Sequence, residues 1–287
     1  MISGGNATVY VSDMDAAVRF YNETLGLTLT NRFGNHWATL EADPCYYSEK
    51  GAGLTIGLHP SSPKHATPGT AGGVGFGLET YEPAERVLAR LQDSGARITS
   101  EIIRYEGGNC FQLLDLDGLS TYVNEFPPDM VPLTDLGGQE HTAKVSPLGT
   151  RFGGHAIVYV SNMDAGVRFY SEKLGLPLTN RYGDHFATVE AGGLVLAIHP
   201  KTPRTPDPGK KGSVMLGLQV DEPIERVVSR LSERGVRITS EAAVPDAGKR
   251  VEFEDEDGNP IYLWEVRAAA SALGASSPKA FRAAASR

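Results

Sequence analysis

A histidine at position 155 replaces an asparagine in an otherwise repeated segment. The segment GHAIVYVSNMD begins at Gly154, and an earlier copy, GNATVYVSDMD, begins at Gly5, so that His155 takes the place of Asn6. An imidazole nitrogen is a good ligand for zinc and other divalent ions, whereas an amide offers at most a carbonyl oxygen. The sequence therefore raises the question of whether His155 binds a metal ion.

The repeat extends over most of the 287 residues. Residues 5–41 align with 154–190 without a gap, and 26 of the 37 pairs are identical. The first copy then has a nine-residue insertion around 44–51, after which the alignment resumes at an offset of 140. An internal repeat of this kind indicates a duplicated domain. We expect one domain at 1–126 and a second at 153–267. A proline- and glycine-rich linker at 127–152 joins them, and an alanine- and serine-rich tail follows at 268–287.

Each copy contains the same order of predicted elements twice. Residues 7–13, ATVYVSD, are typical of a strand, and the following residues 14–27 place apolar side chains at helical spacing, with Gly26 as the stop signal. A second helix is predicted between Pro83 and Gly95, and strand-like runs follow both helices. The pattern predicts four β-α-β-β-β modules, which is an α+β fold.

Several motifs carry a resemblance to a known family. They are the segments SDMDAAVRFYNETLGL and SNMDAGVRFYSEKLGL, the strand ends LHP and IHP, and the closing hairpins DLDGLSTYVNE and DEDGNPIYLWE. The chain resembles the vicinal oxygen chelate superfamily, which includes glyoxalase I, bleomycin- and fosfomycin-resistance proteins and extradiol dioxygenases. The resemblance covers roughly 5–126 and 153–267. It implies two tandem domains of paired modules whose curved sheets form open cups. It does not imply a particular reaction, since such a fold hosts many functions.

In metal-using relatives, the resemblance implies His, Gln and Glu ligands from the first and last strands of the modules. The residues at those positions here are Asn6, Gly73, His155 and Ser213 on first strands, and Tyr122 and Tyr262 on last strands. Only His155 is a good ligand for a divalent ion, and a site needs three or four. Glu125 and Glu265 lie three residues beyond the tyrosines, so strand alternation turns them to the other face of the sheet unless a bulge intervenes. We therefore expect no bound metal and a core or cup-floor role for His155.

Strand alternation predicts a polar and aromatic lining for the cups, which is typical of small-molecule sites. The candidate ligand-binding residues of the first copy are Asn6, Thr8, Tyr10, Trp37, Thr39, Glu41, His59, Gln112, Tyr122 and Asn124. Those of the second copy are His155, Tyr159, Phe186, Thr188, Glu190, His199, Arg250, Glu252, Tyr262 and Trp264.

Catalysis without a metal would require an acid–base group in a cup. Glu41 or Glu190, if buried among aromatic rings, would have a raised pKa and could act as a general base. His155 beside Glu252 could form an acid–base pair. The candidate catalytic residues are therefore Glu190, Glu252 and His155.

Composition limits the partners and the compartment. The net charge of −8 argues against non-specific nucleic-acid binding, and no apolar run approaches the roughly 20 residues of a membrane span. The two cysteines, Cys45 and Cys110, make no disulfide framework. We expect a cytoplasmic protein whose partner is a small organic molecule, not nucleic acid or a membrane. Four modules in one chain allow a monomer, and a homodimer is left open.

Three functions are compatible with these observations. The leading hypothesis is a glyoxalase/bleomycin resistance-like protein that binds a small organic ligand without a metal, and either sequesters it or acts on it by acid–base chemistry. The alternative is a metal-dependent lyase, isomerase or extradiol-type dioxygenase that uses His155 with Glu190, Glu252 or a shifted Glu265, with a divalent metal as cofactor. The third is a structural or interaction protein whose cups are filled by side chains.

Overall fold

The computed structural model describes residues 1–48, 50–105, 108–126, 152–244 and 248–265. The predicted β-α-β-β-β order is present in all four modules. In the second module the predicted strand after the helix is divided into two short strands. None of the helices in the described ranges is long and apolar enough to cross a membrane.

The elements are numbered in chain order. The first module contains β1 (Ile2–Val11), α1 (Met14–Arg19), β2 (Thr28–Phe33), β3 (Trp37–Pro44) and β4 (Gly53–Pro60). The second contains β5 (Val74–Thr80), α2 (Ala84–Asp93), β6 (Arg97–Ile98), β7 (Ile103–Tyr105), β8 (Gly108–Leu114) and β9 (Ser120–Glu125). The third contains β10 (Gly153–Val160), α3 (Met163–Arg168), β11 (Leu178–Tyr182), β12 (Phe186–Ala191) and β13 (Leu194–Pro200). The fourth contains β14 (Val214–Val220), α4 (Ile224–Glu233), β15 (Ile238–Val244), β16 (Gly248–Glu254) and β17 (Pro260–Glu265).

The first helix of each copy has a side-chain cap at one end and a glycine at the other. The Asp13 carboxylate accepts a hydrogen bond from the Ala16 amide at 2.9 Å, which satisfies one of the free N–H groups of α1. The helix continues through a π-helical turn at Phe20–Thr24 and stops at Gly26, whose φ of 72° is costly for other residues. The predicted stop signal is confirmed.

The first strands of the modules pair across the two copies. Strand β1 is antiparallel to β14, and β10 is antiparallel to β5. Within each module the first strand is parallel to the last, in the pairs β1–β4, β5–β9, β10–β13 and β14–β17. The first module is therefore joined to the fourth and the third to the second, so that each half of the fold contains one module from each copy.

The helices cover one face of the sheet and leave the other face for the cups. On β1, Ala7, Val9 and Val11 are buried in the main apolar core, and Asn6, Thr8 and Tyr10 alternate with them on the opposite face. Helices α2 and α4 bury matching apolar stripes against the core side. Burial of the apolar face thus fixes which side chains line the cups.

Candidate ligand-binding site

The fold contains two cups that differ in chemistry. Cup I is formed by the first and fourth modules, and cup II by the third and second. At the centre of cup I, Asn6 on β1 lies opposite Gly217 on β14. At the centre of cup II, His155 on β10 lies opposite Gly77 on β5. The lining residues that the sequence grouped by copy are thus divided between cups, because strand pairing crosses the copies.

A hydrogen-bond network forms the floor of cup I. The Thr8 hydroxyl lies 2.7 Å from the Tyr262 hydroxyl and donates to the Asn6 side-chain oxygen at 2.7 Å. The Tyr262 hydroxyl also donates to Asn6 at 3.4 Å. All three residues are at most 5% exposed. Burial is the largest cause of the raised pKa of Tyr262, which holds the phenol in its neutral form.

Two glycines allow aromatic side chains to lie close against the backbone of this floor. A Cβ atom at Gly57 would lie 2.4 Å from the Trp37 ring, and one at Gly217 would lie 2.5 Å from the Tyr262 hydroxyl and 2.9 Å from the Trp264 ring. The Trp37 indole N–H donates to the Thr39 hydroxyl at 2.8 Å, which fixes the orientation of the ring. The aromatic lining predicted from the sequence therefore rests on close approach to glycine backbone.

Arg250 places a positive charge among these rings. Its guanidinium carbon lies 4.1 Å from the centre of the Tyr262 ring, a cation–π geometry. One terminal nitrogen pairs with Glu252 at 2.9 Å. The Arg250 Nε atom is buried and has no hydrogen-bond partner among the described residues. A buried N–H without an acceptor is costly, so a ligand that supplied an acceptor here would relieve that cost.

Two histidines lie at the rim of cup I. The His59 Nδ1 atom lies 2.7 Å from the Pro60 carbonyl oxygen, to which only a protonated Nδ1 can donate. Burial is the main cause of the lowered pKa of His59, so the ring is neutral and Nε2 is an acceptor. The His65 ring stacks on Tyr10 at 3.8 Å. His65 comes from the loop after β4, which the sequence did not link to a cup.

Cup II has a buried polar cluster instead. The His155 Nδ1 atom lies 2.6 Å from Glu79 Oε1, and the Cys45 thiol donates to the same oxygen at 3.1 Å. The other Glu79 oxygen accepts from the Tyr46 amide at 2.8 Å. Glu79 is fully buried, and His155 and Cys45 are 3% and 2% exposed.

Cys45 belongs to the insertion of the first copy, which extends into cup II. The Ser48 hydroxyl donates to Glu190 Oε1 at 2.7 Å. The Tyr47 ring lies 4.8 Å from Phe186 and 5.9 Å from His155, between centroids. The insertion therefore occupies part of cup II, whereas the corresponding hairpin of the second copy turns at two glycines, Gly192 and Gly193.

The three candidate catalytic residues are not brought together. His155 and Glu190 lie in cup II, where each bonds a residue that the sequence analysis did not select. Glu252 lies in cup I beside Arg250, so the suggested pair with His155 is not formed. Glu41, the counterpart of Glu190, is exposed and accepts from the Thr30 hydroxyl at 3.3 Å.

The remaining candidates line cup II or support it. Gln112 lies opposite Tyr122, and Asn124 opposite Cys110, on the paired strands β8 and β9. The Thr188 hydroxyl accepts from the Asn180 side chain at 2.9 Å. His199 repeats the His59 arrangement, with its Nδ1 atom 2.7 Å from the Pro200 carbonyl and its pKa lowered mainly by burial.

Glu125 and Glu265 point away from the cups, as strand alternation predicts. The Glu125 carboxylate accepts from the Ala84 amide at 2.9 Å, and Glu265 accepts from the Ile224 amide at 2.9 Å. Both amides belong to the first turn of a helix, where an anion is favourable. These glutamates cap α2 and α4, and neither is placed to bind a metal in a cup.

The positions at which the resemblance implies a metal do not supply enough ligands. Strands β5 and β14 begin after Gly73 and Ser213, and the residues opposite His155 and Asn6 are Gly77 and Gly217. Tyr122 and Tyr262 lie beside these glycines. A glycine has no donor and a neutral phenol is a poor one, so the donor set of either position does not fit a divalent ion.

Besides His65 in cup I, sequence reasoning missed Glu79, Cys45 and Tyr47 in cup II. Glu79 lies two residues after Gly77 on β5, so both residues face the same side of the sheet. A correct register for β5 would therefore have placed Glu79 on the cup face. The insertion gave a signal only as a gap in the alignment, and a gap does not reveal which cup it enters.

Comparison with known proteins agrees with this architecture. The family model of the glyoxalase/bleomycin resistance protein/dioxygenase superfamily matches residues 5–121 and 154–263. Among solved structures, glyoxalase I from Zea mays is 18% identical with a TM-score of 0.61, and the match covers 92% of each chain. A putative dioxygenase from Bacillus subtilis is 17% identical with a TM-score of 0.56, over 92% of this chain and 84% of that one. A search of the curated proteins found no match. At these identities the solved structures establish the fold alone.

Proposed function

We propose that this chain, which belongs to the glyoxalase/bleomycin resistance protein/dioxygenase superfamily, binds and sequesters a flat organic molecule in cup I without a metal ion there. The molecule carries an acidic or hydrogen-bond-accepting group. The observation that carries this proposal is the buried Nε–H of Arg250, which has no partner in the described part of the chain although it lies in an aromatic cup.

Each part of such a molecule has a complement in cup I. The rings of Trp37 and Trp264 are half-buried and offer faces for stacking. Arg250 offers a charged donor to the acidic group. The Nε2 atom of His59, which accepts no hydrogen bond from the residues that the structure describes, offers an acceptor at the rim. A few convergent polar groups on aromatic walls are what orients a small molecule in a pocket.

Sequestration fits cup I better than acid–base catalysis. Glu252 is paired with Arg250, and Glu41 is exposed at the surface, so neither carboxylate is held unpaired inside the cup where a general base would have to meet the bound molecule. The superfamily includes both enzymes and binding proteins, so membership alone does not decide between them.

Tryptophan fluorescence tests the proposal. The chain has two tryptophans, Trp37 and Trp264, and both line cup I, so their emission reports directly on this site. We expect aromatic carboxylates of two or more fused rings to quench this emission in a saturable way, more tightly than their carboxamides. Loss of the Arg250 contact in Arg250→Met should raise Kd about tenfold or more, because hydrogen bonds to charged groups contribute about 1.5–3 kcal/mol.

Lys249→Met is the matched control. This substitution also removes one positive charge, but from the neighbouring, exposed position, so it should leave Kd unchanged. If the bound compound is recovered unaltered after long incubation, this result supports sequestration. If the compound is converted to a product, the protein is an enzyme and the sequestration proposal is wrong. No saturable quenching by any acid in the panel, or equal affinity of the Arg250→Met variant, contradicts the proposal.

A further inference from the structure

The insertion of the first copy brings a thiol to a place where the alignment of the copies has only a gap. Strand β3 ends at Pro44, and Cys45 follows it directly. The Cys45 amide donates to the Ala52 carbonyl at 2.8 Å, and the Ser48 hydroxyl bonds both the Ala52 amide and Glu190. These bonds hold the insertion across cup II and fix the thiol against Glu79 and His155.

The three side chains present three different donor atoms to one point. The distances are 2.6 Å from His155 Nδ1 to Glu79 Oε1, 3.1 Å from Cys45 Sγ to that oxygen, and 3.8 Å from Cys45 Sγ to His155 Nδ1. A triangle with these sides has a centre about 1.9 Å from each corner. Zinc binds nitrogen and oxygen at about 2.0–2.2 Å and thiolate sulfur at about 2.3 Å, so an ion slightly above the centre is within reach of all three.

We propose that Cys45, Glu79 and His155 form a binding site for a divalent transition-metal ion, of which Zn²⁺ fits best. The mixed sulfur, nitrogen and oxygen donor set suits zinc, whereas magnesium and calcium require oxygen ligands. On binding, the ion displaces the thiol proton and the proton shared between His155 and Glu79, and both protons pass to solvent. The thiolate and the carboxylate then balance the charge of the ion.

The surroundings favour an ion at this point. Glu79 is fully buried, and the rings of Tyr46, Tyr47 and Phe126 pack close by. Burying a carboxylate in such a place is costly unless a positive charge accompanies it. The positions at which the resemblance implies ligands supply only His155 here, so the site depends on two donors, Cys45 and Glu79, that lie elsewhere.

Cobalt absorption is the sharpest test, because a thiolate ligand to Co²⁺ produces a strong near-ultraviolet charge-transfer band. The full chain, stripped with chelator under reducing conditions, is titrated with Co²⁺ and then with Zn²⁺. We expect the band to saturate at one equivalent per chain and to disappear when Zn²⁺ displaces Co²⁺. The melting temperature should rise with Zn²⁺, since binding to the folded state stabilises it.

Cys45→Ser should abolish the band, and Glu79→Gln and His155→Ala should each weaken binding by about 100-fold or more. Cys110→Ser is the matched control, because Cys110 is the second cysteine and does not touch the cluster; it should retain the band. Far-ultraviolet circular dichroism establishes which variants are folded.

A chain that shows no band and no rise in melting temperature with either ion overturns the proposal. A band that survives in Cys45→Ser but not in Cys110→Ser also overturns it. Failure of this metal-binding test does not affect the proposal that cup I binds an organic molecule. The tryptophans that report on cup I belong to the other pair of modules.

Discussion

The two copies of the LHP motif place equivalent histidines in the two cups. His59 and His199 each direct Nδ1 to the carbonyl of the following proline, and burial is the main cause of the lowered pKa of both. A histidine whose pKa is lowered in the folded state favours folding above the unfolded pKa of 6.5 and loses this contribution as the pH falls through the folded pKa. The motif therefore makes stability sensitive to mild acid.

Replacing both histidines, in His59→Gln with His199→Gln, should flatten the dependence of stability on pH. We expect the free energy of unfolding of the parent chain to fall between about pH 7 and pH 5 with a slope of at most about 1.4 kcal/mol per pH unit for each histidine. Urea unfolding at several pH values measures the slope. The control variant, His36→Gln with His185→Gln, changes two exposed hairpin histidines and should keep the parent slope. Equal slopes for all three chains would contradict this account.

At the scale of elements, the last strand of each copy supplies the cap of a helix. Glu125 at the end of β9 and Glu265 at the end of β17 accept from the first amides of α2 and α4. The residues before those helices, Pro83 and Pro223, make no side-chain cap of their own. The carboxylate from a distant strand therefore replaces the local cap and ties helix to sheet.

Glu265→Ala should remove this cap and lower the free energy of unfolding by about 1 kcal/mol, in the range of other N-cap losses. The loss should appear in denaturant unfolding while the ligand affinity of cup I is unchanged, because the carboxylate points away from the cup. Glu101→Ala, at an exposed position, serves as the control and should have no effect. A loss of ligand affinity with no loss of stability would assign Glu265 to the cup instead.

At the scale of the whole molecule, the two copies hold each other together. Seven residue pairs join β1 to β14 and six join β10 to β5, and each of these contacts crosses from one copy to the other. Neither copy contains a complete cup, since the first and last modules share cup I. We therefore expect the modules to stay assembled without covalent continuity of the chain.

A protease site inserted between residues 127 and 151 tests this view. After complete cleavage, we expect the two fragments to elute as one particle of unchanged mass in size-exclusion chromatography with light scattering, and to keep the fluorescence response of cup I. The reason is that the backbone pairing between β1 and β14 is unaffected by the cut. Separation into two folded fragments under native conditions would mean that each copy forms its own cups.

The sequence by itself determined the modules and much of the lining. The repeat, the stop signal at Gly26 and the alternation along β1 were enough to predict β-α-β-β-β modules and the inward position of Thr8, because these depend on local backbone preference and on one buried face. Alternation likewise predicted that Glu125 and Glu265 turn away from the cups.

Only the tertiary structure decided which residues meet. Because β1 and β10 are nearly identical, each could pair with either β5 or β14, that is, within its own copy or across copies. Nothing in local sequence distinguishes these arrangements, so the separation of Glu252 from His155 could not be foreseen. The contact of Cys45 with Glu79 and His155 likewise depends on where an insertion without a counterpart crosses the sheet. Such contacts join residues far apart in the chain, and long-range packing alone selects them.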